Sequence, residues 1–328
     1  MPSTTHVKIS LLAAALAISV SSGRNVQAQT NPYQLVNNWE TEELVGVEAV
    51  AIDHDGNIYA AQRCQANWSN TCASSLRPPI VEFDSSGKVI KTLGTKMFVF
   101  IHGLYVDKDN NLWATDAKGI NGIGEQVFKF SPEGKVIMTL GKAGVHGDGP
   151  DTFHAPNSVV VAPNGDIFVA DGHGGDTNAR IVRFSKDGKF IKAWGRKGTG
   201  PEEFGMFHGL AMDSQGRLFV GDRGNGRIEI YNQDGKLLDT WEQFGSPSGI
   251  FIDADDIMYV ASGPGGDVEP PSSGVSWGMR VGSVKDGVVK YFVPPAGGFQ
   301  GVGLVADPSG SIFASDVKSW RVQKFLKK

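Results

Sequence analysis

Phe204 to Ile228, FGMFHGLAMDSQGRLFVGDRGNGRI, carries the plan on which the chain is built. An apolar strand (Gly209 to Met212) runs into a turn (Asp213 to Gly216) and a second strand (Leu218 to Gly221), after which an Asp-Arg pair opens a glycine-rich loop. His208 precedes the first strand and Arg223 follows the second. The same plan recurs in VEAVAIDHDGNIYAAQR (Val47 to Arg63), IHGLYVDKDNNLWATDA (Ile101 to Ala117), NSVVVAPNGDIFVADGH (Asn157 to His173), SGIFIDADDIMYVASG (Ser248 to Gly263) and VGLVADPSGSIFASDV (Val302 to Val317). The turn opens at Asp53, Asp107, Ala162, Asp213, Asp253 and Asp307, a period of about 40 to 55 residues, the range of propeller blades.

Within each copy the strands are rich in β-branched and aromatic residues and are separated by hairpin turns such as Asp55-Gly56 and Asp187-Gly188. Third strands are expected over Gln126 to Ser131, Arg180 to Ser185 and Arg227 to Asn232, and fourth strands over Lys135 to Leu140, Lys189 to Trp194 and Lys236 to Trp241. The last copy ends after its third strand, Trp320 to Phe325, while Tyr33 to Trp39 reads as a fourth strand with no copy of its own. The chain is therefore predicted to be an all-β, six-bladed β-propeller of four-stranded antiparallel blades, closed by its N-terminal strand.

Lys8, the apolar run Ile9 to Val20 and the small residues ending at Ala28 read as a secretory signal peptide over residues 1–28, too short to span a bilayer. Residues 29–328 are then one propeller domain, exported to the periplasm or secreted, with no stable membrane insertion after cleavage. A net charge of −4 without a sustained basic run gives no reason to expect a nucleic acid partner. Cys64 and Cys72, the two cysteines, are expected to pair as a disulfide in an oxidising compartment; a metal pair is the rival reading. Asn67-Trp68-Ser69 is a glycosylation sequon, meaningful in a eukaryotic host.

First strands of propeller blades line the central channel, so equivalent positions converge at one of its ends. The register of His208 is filled around the ring by Glu48, His102, Asn157, His208, Ser248 and Val302. Two histidines and a carboxylate at one register suit zinc or a related divalent ion, against the alternative of a merely polar channel mouth. Ten residues after the turn stand Arg63 in the first repeat and Arg223 in the fourth, a facing pair suited to a carboxylate. His173, one position further in the third repeat, is a titratable group on the same rim or a solvated loop histidine.

The chain resembles the NHL-repeat propellers of the peptidyl-α-hydroxyglycine α-amidating lyase family, which cleave a carbinolamide to a peptide amide and glyoxylate. The residues that carry the resemblance are Ile101-His102-Gly103-Leu104, Phe207-His208-Gly209-Leu210, Gly221 to Ile228 and Asp171 to Phe190. It implies zinc on His102 and His208, active-site arginines at Arg63 and Arg223, and calcium carbonyls at Val50 and Leu104. Three positions depart from the family: its third zinc histidine falls on Val302, its calcium-binding acid on Gly303 and its catalytic tyrosine on His173. Glu48, which shares the register of the two histidines and is no part of the family pattern, is expected to supply the third metal contact, and His173 is the candidate base beside Arg63 and Arg223, acting on a small-molecule or peptide-like substrate with a carboxylate. A calcium-dependent lactonase or esterase and a non-enzymatic NHL binding propeller are the other readings, separated by whether zinc, calcium alone or no metal is bound.

Overall fold

The computed structural model describes Met1 and residues 31–65, 72–263, 276–295 and 301–328. The proposed signal peptide beyond Met1, the sequon at Asn67 and residues 264–275 lie outside these. Six four-stranded antiparallel sheets form six blades, and among the described residues there is no α-helix. The first strands, Val47–Ile52, Ile101–Val106, Pro156–Val161, Phe207–Met212, Pro247–Ile252 and Gly301–Ala306, pack against one another around a channel with a cavity of about 170 Å³.

The turn acids have a shared local task. Asp53 Oδ1 accepts the amides of Asp55 and Asn57, at 3.0 and 2.7 Å, tying the turn into a ring that directs the second strand back along the first. Asp107, Asp213, Asp253 and Asp307 repeat this arrangement. At Ala162 the carboxylate is missing, and Asn164 instead accepts the amide of Asp166.

Closure of the ring follows the expected plan with a shorter strand. Tyr33–Val36 pairs antiparallel with Arg321–Lys327, completing the sheet that begins at Gly301–Ala306. Asn38 then adopts φ +54, so the chain turns before Trp39 rather than continuing the strand. Trp39 is buried between Phe83 of the first blade, at 5.8 Å, and Phe313 of the sixth, at 5.0 Å, and donates to the Ser85 carbonyl. The core consists of such layers between neighbouring blades; one unites Ala49 and Ala61 of the first blade with Phe98, Leu112 and Phe128 at the second.

Between the third and fourth blades a short parallel pair, Arg196–Lys197 with Glu203–Phe204, adds a feature that the repeat pattern does not contain. Arg227 pins it, donating to the carbonyls of Gly200 and Glu203 while its Nε rests on Asp222 at 3.1 Å. Arg180 does the same one blade earlier, bridging Asp171 and the Thr152 carbonyl. Cys64 and Cys72 are joined by a disulfide.

Candidate functional site

In all six blades the ladder between the first two strands slips at one place: between Val47 and Ala49, Ile101 and Leu104, Pro156 and Ser158, Phe207 and Leu210, Pro247 and Gly249, Gly301 and Leu304. The bulged residue is Glu48, His102, Asn157, His208, Ser248 or Val302, the register singled out in the sequence. A bulge frees a residue from strict alternation and re-aims its side chain. All six residues line the channel. The glycine after His102 follows from the same crowding, since a Cβ on Gly103 would stand 2.4 Å from the Asn157 carbonyl oxygen of the next blade.

His102 and His208 each grip the neighbouring blade. Their Nδ1 atoms lie 3.0 Å from the Asn157 carbonyl and 2.9 Å from the Ser248 carbonyl. A carbonyl only accepts, so Nδ1 carries the proton in both rings and Nε2 is left with a lone pair. His173 arrives from the loop after the second strand of the third blade. Gly172, at φ +135 where a Cβ would strike the Asn178 carbonyl, lets the backbone fold back, and Asn157 Nδ2 holds the Gly172 carbonyl. Thr177 Oγ1 accepts the His173 amide at 2.7 Å. The ring thus held puts His173 Nε2 3.2 Å from His208 Nε2. Ligand atoms of His102, His173 and His208 all lie within 4.8 Å of one another.

Burial holds all three imidazoles neutral. It pushes His102 down to about 3, with Arg63 and Arg223 adding to the shift, and His173 down to about 3, with His102 adding to it. His208 is lowered well below its ordinary value by burial, then by Arg223 and the other two histidines. Neutral imidazoles offer their lone pairs to a cation, and this donor set fits zinc or a related divalent transition ion.

Glu48, expected as a metal ligand, is engaged with Arg63: Oε2 lies 2.5 Å from both Nε and Nη2. Its Oε1 is 3.7 Å from His102 Nε2, but a neutral imidazole makes this contact no ion pair. Arg63 also lies over the Phe100 ring, which in turn packs edge-on against His102 and His173. Phe100 was invisible in the repeat alignment because it precedes the bulge; Asp116 places it by accepting the amides of Val99 and Phe100, each at 2.7 Å.

Arg223 opens a short 3-10 turn, Arg223–Asn225, closed by Gly226 in the left-handed conformation and fastened by Asn225 donating to Asp222. This accounts for the Asp-Arg-Gly-Asn-Gly-Arg motif. The guanidinium is buried; among the described residues Nη2 reaches only the Gly263 carbonyl, at 3.3 Å, and Nε has no partner. No carboxylate lies within ion-pair distance of it among the described residues, and burial lowers it to about 10, so it remains a cation at neutral pH.

Among the described residues His102 Nε2, Asn157 Oδ1, Ser248 Oγ and Arg223 Nε are all buried without hydrogen-bond partners. Each such atom costs about 1–3 kcal/mol. Their concentration at one end of one channel marks a ligand site. The expected calcium carbonyls belong to Val50 and Leu104, which also line the channel, but the position of the absent acid, Gly303, offers no side chain and its amide is taken by Ser315.

The fold and this site define a six-bladed β-propeller with a polar, histidine-rich mouth. A family described as "6-bladed beta-propeller" matches residues 158–243, within the third and fourth blades. Homologues carry the name peptidyl-alpha-hydroxyglycine alpha-amidating lyase: lyase 1 of Drosophila melanogaster is 34% identical over 228 residues, 61% of this chain and 40% of the relative. NHL repeat-containing protein 3 of Mus musculus is 31% identical over 59% of this chain and 54% of its own length. The matches thus span at most about half of either relative's length. A gluconolactonase from Xanthomonas campestris shares the fold, with a TM-score of 0.61 and 16% identity over 87% of each chain.

Proposed function

We propose that the chain is a metal-dependent lyase of the peptidylamidoglycolate lyase type, cleaving the C–N bond of a carbinolamide that bears a carboxylate. The observation that carries this reading is the buried Arg223, which has no carboxylate within ion-pair distance among the described residues, beside convergent imidazole nitrogens. An anionic group entering the mouth would satisfy the guanidinium, and Arg63, held by Glu48 in the first blade, adds a second cation that acts on the same His102. His102 and His208 would hold a divalent cation through their Nε2 atoms, and such a cation would supply Lewis-acid stabilisation of negative charge on the substrate oxygen.

In the reaction the substrate hydroxyl gives up its proton and becomes the aldehyde oxygen of glyoxylate. The electrons of the C–N bond pass to the amide nitrogen, which takes up a proton. Arg223 orients the carboxylate next to the breaking bond, and the mostly buried mouth limits access of bulk water.

The likeness to a gluconolactonase is one of fold alone, so lactone hydrolysis has no observation of its own in its favour. Export fits the Cys64–Cys72 disulfide, and no helix among the described residues is long and apolar enough to cross a membrane. Incubating purified protein with an N-acyl-α-hydroxyglycine and, separately, with a sugar lactone tests the assignment. Release of glyoxylate supports it; lactone opening without glyoxylate, or no turnover of either, contradicts it.

A further inference from the structure

We infer that His173 is the third protein ligand of the cation that His102 and His208 begin to hold, and that Glu48 stays outside the coordination sphere as the partner of Arg63. This rests on the metal-dependent reading above and deepens it by assigning the complete ligand set. His173 thereby takes the metal contact that the sequence assigns to Glu48, and gives up the role of base.

The protons decide how the three rings can bond. His102 and His208 have spent their Nδ1 protons on the Asn157 and Ser248 carbonyls, so both Nε2 atoms are acceptors. His173 Nε2, 3.2 Å from His208 Nε2, then either donates a proton to it or shares a cation with it. A single donated proton serves His208 and leaves His102 Nε2 buried and without a hydrogen-bond partner among the described residues. A cation serves all three nitrogens at once.

The spacing agrees with a shared cation. Two nitrogens bound tetrahedrally at about 2.0–2.1 Å from zinc stand roughly 3.3–3.4 Å apart, close to the 3.2 Å between His173 and His208. Glu48 Oε2 lies 2.5 Å from Arg63 Nη2, and a carboxylate whose charge is already shared with a buried guanidinium is a weaker metal ligand than a free one. The His173 loop is braced as a ligand loop must be, by Gly172, by Thr177 on the His173 amide and by Asn157 on the Gly172 carbonyl. Val302 occupies the equivalent bulge of the sixth blade and has no donor, so the third ligand comes from the rim of the third blade instead.

The test is metal content after loading with zinc and dialysis against a weak chelator, measured on the parent, His173→Gln and Glu48→Gln, with thermal melts to verify folding. The parent and Glu48→Gln are expected to keep one equivalent and His173→Gln to lose most of it. His173→Cys loaded with cobalt(II) gives a second readout, since a thiolate at this position adds a sulfur-to-cobalt charge-transfer band in the near ultraviolet if residue 173 coordinates. Metal kept by His173→Gln, or a cobalt-loaded His173→Cys without that band, overturns the assignment. A parent that binds no divalent metal instead overturns the metal-dependent reading on which the assignment rests.

Discussion

Glu48 and Arg63 form a buried ion pair at 2.5 Å between the bulge of the first strand and the end of the second strand of one blade. Both side chains are at least nine-tenths buried, so removing the carboxylate costs the guanidinium this ion pair where water barely reaches it. Glu48→Gln is expected to lower the unfolding free energy by about 3–5 kcal/mol, as breaking a buried pair usually does. Urea denaturation of the two proteins under identical metal loading checks this; an unchanged midpoint would show that Arg63 finds another acceptor.

Arg223 makes the opposite case. Its buried guanidinium has no carboxylate partner among the described residues, so Arg223→Met should raise stability in the absence of ligand while weakening binding of a small carboxylate by about 1.5–3 kcal/mol. Calorimetric titration with a carboxylate substrate analogue, set beside denaturation curves, separates the two effects. A variant that is less stable and binds as tightly would make Arg223 a structural residue.

Asp116 gives a pH dependence with a definite sign. Burial raises its carboxyl to about 7, against the lowering effect of the Val99 and Phe100 amides, with Glu125 adding to the rise. The folded state therefore holds this proton more tightly than the unfolded chain. Asp116 contributes stability that is complete below about pH 4, where both states are protonated, and that is lost as pH rises toward 7. In Asp116→Asn this slope disappears. Unfolding free energies of parent and variant between pH 4 and 7 should thus differ by an amount that falls as pH rises; a constant difference would contradict the buried-acid account.

The seam of the ring depends on Trp39. Trp39→Ala removes the ring wedged between Phe83 and Phe313 and is expected to cost about 3–5 kcal/mol. Chemical denaturation measures it. A loss below about 1 kcal/mol would mean that pairing of Tyr33–Val36 with Arg321–Lys327 alone holds the ring shut.

Much of this was legible in the sequence because one short-range device repeats. The turn acids Asp53, Asp107, Asp213, Asp253 and Asp307 bond amides two and four positions away, so their spacing shows up as a period. The bulge register of Glu48, His102 and His208 was legible for the same reason, although the slip that aims these side chains into the channel was not. Contacts between blades left no such trace. His173 and His208 are 35 positions apart and meet through the folding back of the loop at Gly172, which no periodicity encodes. The Glu48 carboxylate, in turn, is claimed by Arg63, because within this cavity the nearest strong positive charge outcompetes a more distant set of neutral donors.

The central claim is that the imidazoles at the channel mouth and Arg223 together cleave a carbinolamide in a reaction that needs bound metal. Its most direct test is to strip the protein of metal, return zinc in substoichiometric steps and follow glyoxylate release from an N-acyl-α-hydroxyglycine at each step. The account predicts a rate that rises linearly and levels off at one equivalent of zinc per chain, with one amide formed for each glyoxylate. Protein that carries its full equivalent of metal and forms no glyoxylate, or that releases it at an undiminished rate when stripped, would contradict the account.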